Sequence, residues 1–164
     1  MKRLPRPLDY RVVKSSRHSR IAGDFGEGLI LYWLSRTGHE VCRVDHTGID
    51  LLAYDPKSRR RLGISVKSRT RSPGLEAEGV YIRGPELELI TEACRAYAAT
   101  PFLGIVLDRY RRIEFHAVRL DNAIEINGRA RTLLNFKVGT EQIARYRATP
   151  GYFGLTLSYQ NGAD

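Results

Sequence analysis

Gly48-Ile49-Asp50-Leu51-Leu52-Ala53-Tyr54, then Asp55-Pro56-Lys57-Ser58 and three arginines, then Leu62-Gly63-Ile64-Ser65-Val66-Lys67, is the stretch that decides the fold. Two short apolar runs flank turn-forming residues, which is the pattern of a β-hairpin. Side chains on a strand alternate between faces. Leu62, Ile64 and Val66 therefore share a core face, and Ser65 and Lys67 share the other. Antiparallel pairing about a turn near Ser58 places Asp50 roughly opposite Val66, beside Ser65 and Lys67. A carboxylate, a hydroxyl and an ammonium then meet at the open end of the hairpin. A surface salt bridge is the plain alternative, and such pairs are worth little.

Upstream, Ile21, Phe25, Leu29 and Trp33 recur at the spacing of an amphipathic helix, predicted over residues 19–37. Ser19 is the expected N-cap and Gly38 the expected stop. Glu27 lies between Gly26 and Gly28, with Gly23 one turn earlier. Glycine in a helix costs about 0.5–1 kcal/mol relative to alanine. Three around one glutamate point to a close backbone approach, or to helix–sheet packing with a solvated glutamate.

The order of a helix bearing Gly-Glu, a strand, a Gly-Ile-Asp strand, a hairpin, a strand ending in x-Val-Lys, a helix and a strand resembles the PD-(D/E)xK nuclease superfamily. Within it the chain is most similar to archaeal Holliday junction resolvases and restriction-endonuclease-like members, over about residues 17–118. The resemblance implies an α/β fold, a restriction-endonuclease-like mixed sheet flanked by helices. It implies a catalytic set of Asp50, Lys67, Glu27 and Ser65, with Asp50 and Glu27 binding Mg²⁺ or Mn²⁺ and Lys67 assisting the attacking water. It also implies a twofold homodimer, although nothing in the sequence marks a dimer surface. One departure is plain: Ser65-Val66-Lys67 stands where the family has Glu-x-Lys. Either a carboxylate from elsewhere fills that place, with Glu76, Glu78, Glu86, Asp45 and Asp55 as candidates, or the site no longer cuts.

Charge agrees with a polyanion partner. The 164 residues carry a formal net charge of +9 and a pI near 9.9. Positive residues cluster in the N-terminal arm, including Lys14 and Arg17, and around the hairpin at Arg59, Arg60, Arg61, Arg69 and Arg71. These seven are the candidate nucleic-acid contacts, and binding through them should be salt-sensitive. DNA is the expected partner; an anionic membrane is not, because prolines interrupt the arm and it lacks an amphipathic stripe.

The remainder bounds these readings. Hydrophobic residues make up 42% and charged residues 27%, ordinary for a globular chain. The start of the chain lacks the apolar run of a signal peptide, and two widely spaced cysteines suggest a reducing cytoplasm without a zinc motif. No P-loop or Rossmann glycine pattern is present, so no nucleotide cofactor is expected. The expected organisation is a basic arm at 1–18, one nuclease-like domain at 19–159 and a frayed tail at 160–164. Further along, Pro85 opens a helix over 85–99 with Leu87, Ile90, Cys94 and Tyr97 inward. Phe102–Leu107 is a fully buried strand, Ile113–Val118 is another strand, and Asn127-Gly128 reads as a hairpin turn. Thr140 caps a helix through Tyr146, and residues 152–159 form a last strand. Two functional readings follow: a metal-dependent DNA endonuclease, for which the resemblance implies branched DNA as a substrate, or a catalytically inactive nuclease-fold protein that binds nucleic acid.

Overall fold

A computed structural model describes residues 12–109, 111–128 and 132–159. In chain order its elements are α1 (His18–Arg36), β1 (Glu40–His46), β2 (Ile49–Asp55), β3 (Arg60–Thr70), β4 (Val80–Arg83), α2 (Gly84–Ala96), β5 (Thr100–Arg109), β6 (Arg112–Arg119), α3 (Leu120–Asn127), β7 (Leu133–Phe136), α4 (Thr140–Arg147) and β8 (Phe153–Ser158). Most of the expected basic arm, and all of the expected tail, lie outside the described residues.

Six strands form one sheet in the order β1-β2-β3-β5-β6-β8, and β4 pairs with β7 in a separate ribbon. Every neighbouring pair in the large sheet is antiparallel except β3 and β5. A parallel pair needs a long crossover, and β4 with α2 supplies it. The mixed sheet flanked by helices is the architecture expected from the sequence.

The sheet has a core on each face. On one, Ile30 and Leu34 of α1 meet Leu51, Ile64, Phe102, Val106 and Phe115. On the other, Leu87 and Ile90 of α2 meet Ile49, Leu103, Ile105 and Leu107, and the ribbon, α3 and α4 join through Ile82, Phe136 and Tyr146. Alternate residues of β5 thus serve opposite cores, which is why its apolar run is continuous.

Three expectations are corrected. The buried stripe of α1 is Gly26, Ile30 and Leu34, while Ile21 and Phe25 are 55% and 46% exposed. The cause is Gly26: a Cβ there would collide with Oγ of Ser68, so the helix turns its glycine to the sheet and its Ile21–Phe25 stripe to the flank. The close approach inferred from the glycines is therefore real at Gly26, whereas nothing lies within 4 Å of a Cβ built at Gly23. The N-cap of α1 is Arg17, not Ser19, and makes no side-chain capping bond. Asn127-Gly128 ends helix α3 rather than turning a hairpin; Gly128 has φ 73°, and the Asn127 side chain donates to Ala123 O and accepts from the Lys137 amide.

Candidate functional site

The hairpin register builds the site. Asp55 pairs with Arg60 and Leu51 with Ile64, so the next step of the ladder sets Asp50 opposite Ser65, one residue from the position estimated by sequence. The four-residue turn decides this, with Arg59 in the left-handed region at φ 56°. Asp50 Oδ2 accepts a hydrogen bond of 2.6 Å from the Val66 amide. That bond ties the carboxylate to the strand carrying Lys67.

Ser65 and Lys67 face α2. Gly48, at φ 111°, explains how that helix comes so near: a Cβ there would collide with the carbonyl oxygen of Leu89. Only glycine permits both this conformation and this approach. The contact brings the first turn of α2 over the end of β2 and β3. A recess of about 110 Å³ results, lined by Gly48, Asp50, Ser65, Lys67, Glu86, Leu89 and Ile90. Lys67 Nζ lies 3.5 Å from Glu86 Oε2, and Glu86 Oε1 accepts from Arg83 Nε at 2.9 Å. The structure therefore gathers Asp50, Ser65 and Lys67 as the sequence suggests and adds Glu86.

Glu27 reaches the site from α1. It does not line the recess, but the Asp50 carboxylate acts on it. Burial, then Asp50, push the Glu27 carboxyl above its ordinary value; Arg43 opposes them and Asp24 adds to the rise. Arg43 Nε stands 3.9 Å from Glu27 Oε2. A carboxyl raised by burial and by a neighbouring carboxylate marks a place where a cation is welcome. Among the described residues no three His, Cys, Asp or Glu side chains cluster as a metal-holding group. Mg²⁺ needs less, since it keeps several waters and is commonly held by one or two carboxylates. Asp50 and Glu27 fit that donor set.

The remaining carboxylate candidates are occupied elsewhere or lie off the site. Glu76 accepts from the Gly74 amide, Glu78 pairs with Arg71 at 2.7 Å, and Asp55 accepts from the Lys57 amide and the Ser58 hydroxyl at the hairpin tip. Asp45 is exposed on β1 and does not line the recess. His46 is likewise exposed, with its ring edge-on to Tyr97 at 5.5 Å.

The basic residues divide into two groups. Lys14 Nζ donates to Thr70 O, and His18 Nε2 bonds the Thr70 hydroxyl, which fastens the chain before α1 to the end of β3. Lys14, Arg17 and Arg69 are exposed at that end, the same end as Lys67. Arg59, Arg60 and Arg61 sit at the hairpin tip, about 17 Å along β2 from Asp50 at the usual strand rise. Arg71 is held within the chain: it donates to the Glu78 carboxylate and to the carbonyls of Glu78 and Gly79.

No protein-family model matches the chain, and no curated protein matches it. Among solved structures it is similar to that of Hjc from Archaeoglobus fulgidus, a Holliday junction resolvase from an archaeal hyperthermophile. The TM-score is 0.53 and the identity 21%, over 76% of this chain and 87% of that one. The likeness is one of fold: a central, mostly antiparallel sheet flanked by helices, as in that nuclease-like protein.

Proposed function

We propose, from that likeness and from the recess at the end of β2 and β3, that the chain is a metal-dependent endonuclease hydrolysing phosphodiester bonds of branched DNA. The observation that carries this reading is Asp50, locked to the Val66 amide, sharing one recess with Lys67. Asp50 and Glu27 would hold Mg²⁺ or Mn²⁺, and such an ion supplies positive charge at the phosphate and a more acidic water. Lys67 has donors only. Its place in the recess suits it to orient the attacking water or to stabilise the crowded, charged phosphate as the bond breaks. Lys14, Arg17 and Arg69, at the same end, would hold flanking backbone, and two copies on a twofold axis would suit a four-way junction. A cytoplasmic setting belongs to this reading and accords with Cys42 and Cys94 as free thiols.

One observation favours a second reading: Ser65 brings no carboxylate to the recess. In that case the protein grips DNA without cutting it. Incubating labelled four-way junction and linear duplex with the protein and Mg²⁺ or Mn²⁺ separates the two. Cleavage supports the nuclease; salt-sensitive binding with every strand intact supports the binder.

A further inference from the structure

The sheet has a second concavity, at the end opposite Lys67. Gly26 of α1 lies against Ser68 and Ile30 against Gly104, so the helix runs toward the start of β3 and stops at Arg36. From the other side comes the turn at Gly151, with φ 78°; a Cβ there would lie 3.7 Å from Phe102 and 3.8 Å from Arg119. Between helix end and turn is a cavity of about 320 Å³, floored by Leu62, Phe102 and Phe153 and edged by Asp55, Arg60 and Arg119. The Phe102 and Phe153 rings stand 5.8 Å apart between centroids. Strand register gathers the edge: Leu62 pairs with Thr100 and Phe102 with Arg119, on neighbouring strands. An open trough continues past Arg60, Thr100 and Arg119 to Arg59 and Arg61. Among the described residues neither Arg59 nor Arg60 is in a salt bridge. Arg119 is held in place by Asp121, which accepts from its Nη2 at 2.6 Å. Arg59 keeps a left-handed φ of 56°, where glycine would be less strained.

We infer that this end of the sheet is a nucleotide site separate from the recess: the base enters the cavity against Phe153 and Phe102, and the phosphates lie on Arg60 and Arg119. Four arginines crowded along one trough repel one another, and a bound polyanion relieves that repulsion. Guanidinium forks match phosphate oxygens two bonds at a time. Phosphate alone needs no apolar cavity, and an apolar ring alone needs no arginines; a phosphorylated nucleoside uses both. The cavity is at the lower bound of ligand sites, about 300–1,000 Å³, which suits a base and its sugar. Asp55, although engaged by the Lys57 amide and the Ser58 hydroxyl, keeps lone pairs for a base amino group or a sugar hydroxyl. The same chemistry is offered by a free nucleotide and by an unpaired nucleotide of a strand. The inference does not depend on the nuclease reading above, because none of these residues lines the recess.

The test is titration calorimetry of the full chain with ADP, adenosine and inorganic pyrophosphate, in EDTA so that no divalent cation takes part. ADP should bind more tightly than adenosine or pyrophosphate. Arg60→Glu, an exposed change, should weaken ADP by about tenfold or more, the loss expected with a charge-assisted bond. Arg95→Glu, the same charge change on α2, should leave ADP binding as it is. Phe153→Leu should weaken ADP while leaving pyrophosphate unchanged, a split that general loosening of the fold would not give. Competition then identifies the source. Displacement of ADP by a short single strand but not by duplex assigns the site to an unpaired nucleotide; displacement by neither assigns it to a free nucleotide. Equal displacement by duplex shows arginines attracting any polyanion and overturns the inference. So does ADP that fails to bind, ADP that binds no better than pyrophosphate, or a folded Arg60→Glu protein with undiminished affinity. Each of these leaves the nuclease reading standing, and an uncut junction leaves the nucleotide site standing.

Discussion

The carboxylate of Asp50 accepts a 2.6 Å hydrogen bond from the backbone amide of Val66, the residue just before Lys67. This bond couples the position of the carboxylate to that of the ammonium. Asp50→Ala leaves the Val66 amide without its acceptor, and an unmade bond to a partly buried donor costs about 1–3 kcal/mol. Asp50→Asn keeps an oxygen acceptor at the same place. Thermal melts should therefore show the alanine variant clearly destabilised and the asparagine variant close to wild type. Equal melting of the two would mean the bond contributes little.

Glu27 gives a pH signature with a definite sign. Its carboxyl is raised above the ordinary value, first by burial and then by Asp50. Such a group favours folding while it is protonated, and that contribution disappears as pH rises through the raised value. At neutral pH without metal, Glu27→Gln should melt higher than wild type, and the difference should vanish at pH 3. Divalent metal should reverse the order, since it rewards the carboxylate that the variant lacks.

Glu114 gives the opposite sign. It is buried with Arg109 and His116, and its carboxylate pairs with Arg109. Burial pushes its value up, but His116, Arg109 and Arg112 outweigh this and hold it down at about 2. A lowered acid stabilises the fold above its unfolded value of 4.5 and loses that contribution as pH falls toward about 2. Arg109 also donates to Glu76 O and Val138 O, so the pair anchors the segment before β4. Glu114→Gln strands a buried guanidinium, at a cost of about 3–5 kcal/mol. Melting at pH 7 should fall by about 10 °C, with a weaker acid dependence between pH 4.5 and 2 than in wild type.

Gly48 tests how the recess is built. Gly48→Ala puts a side chain at φ 111° and against the Leu89 carbonyl oxygen. Strained positions of this kind cost on the order of 1–3 kcal/mol. Because relief requires α2 to move away, Glu86 should also leave Lys67. Cleavage at a temperature where the variant is fully folded should fall well below wild type. Full activity in the folded variant would mean the approach of α2 does not shape the site.

The parts of this molecule that the sequence reveals are those with a strong periodic signal. The β2–β3 hairpin, the Leu87–Ile90–Cys94 stripe of α2 and the unbroken apolar run of β5 all stand out, because burial on one face or both dictates their composition. The face of α1 is hidden, since its contact residue Gly26 contributes no hydrophobicity while exposed Ile21 and Phe25 do. Strands β4 and β7, each of 4 residues, are too short for alternation to register. At the site, Asp50, Ser65 and Lys67 are legible because one hairpin carries all three. The register is missed by one residue because turn length, not composition, sets it. Glu86 is indistinguishable in sequence from Glu76 and Glu78; only the approach of α2 to Gly48 selects it.

One paired assay decides whether Asp50 and Lys67 form a working site. Wild type and Asp50→Asn are each given labelled four-way junction with Mg²⁺, and both retardation and strand cleavage are read. Both proteins should retard the junction, while the strand cleavage seen with wild type should drop by orders of magnitude in the variant. Equal cleavage by the two proteins, or an intact junction after incubation with wild type, would contradict it.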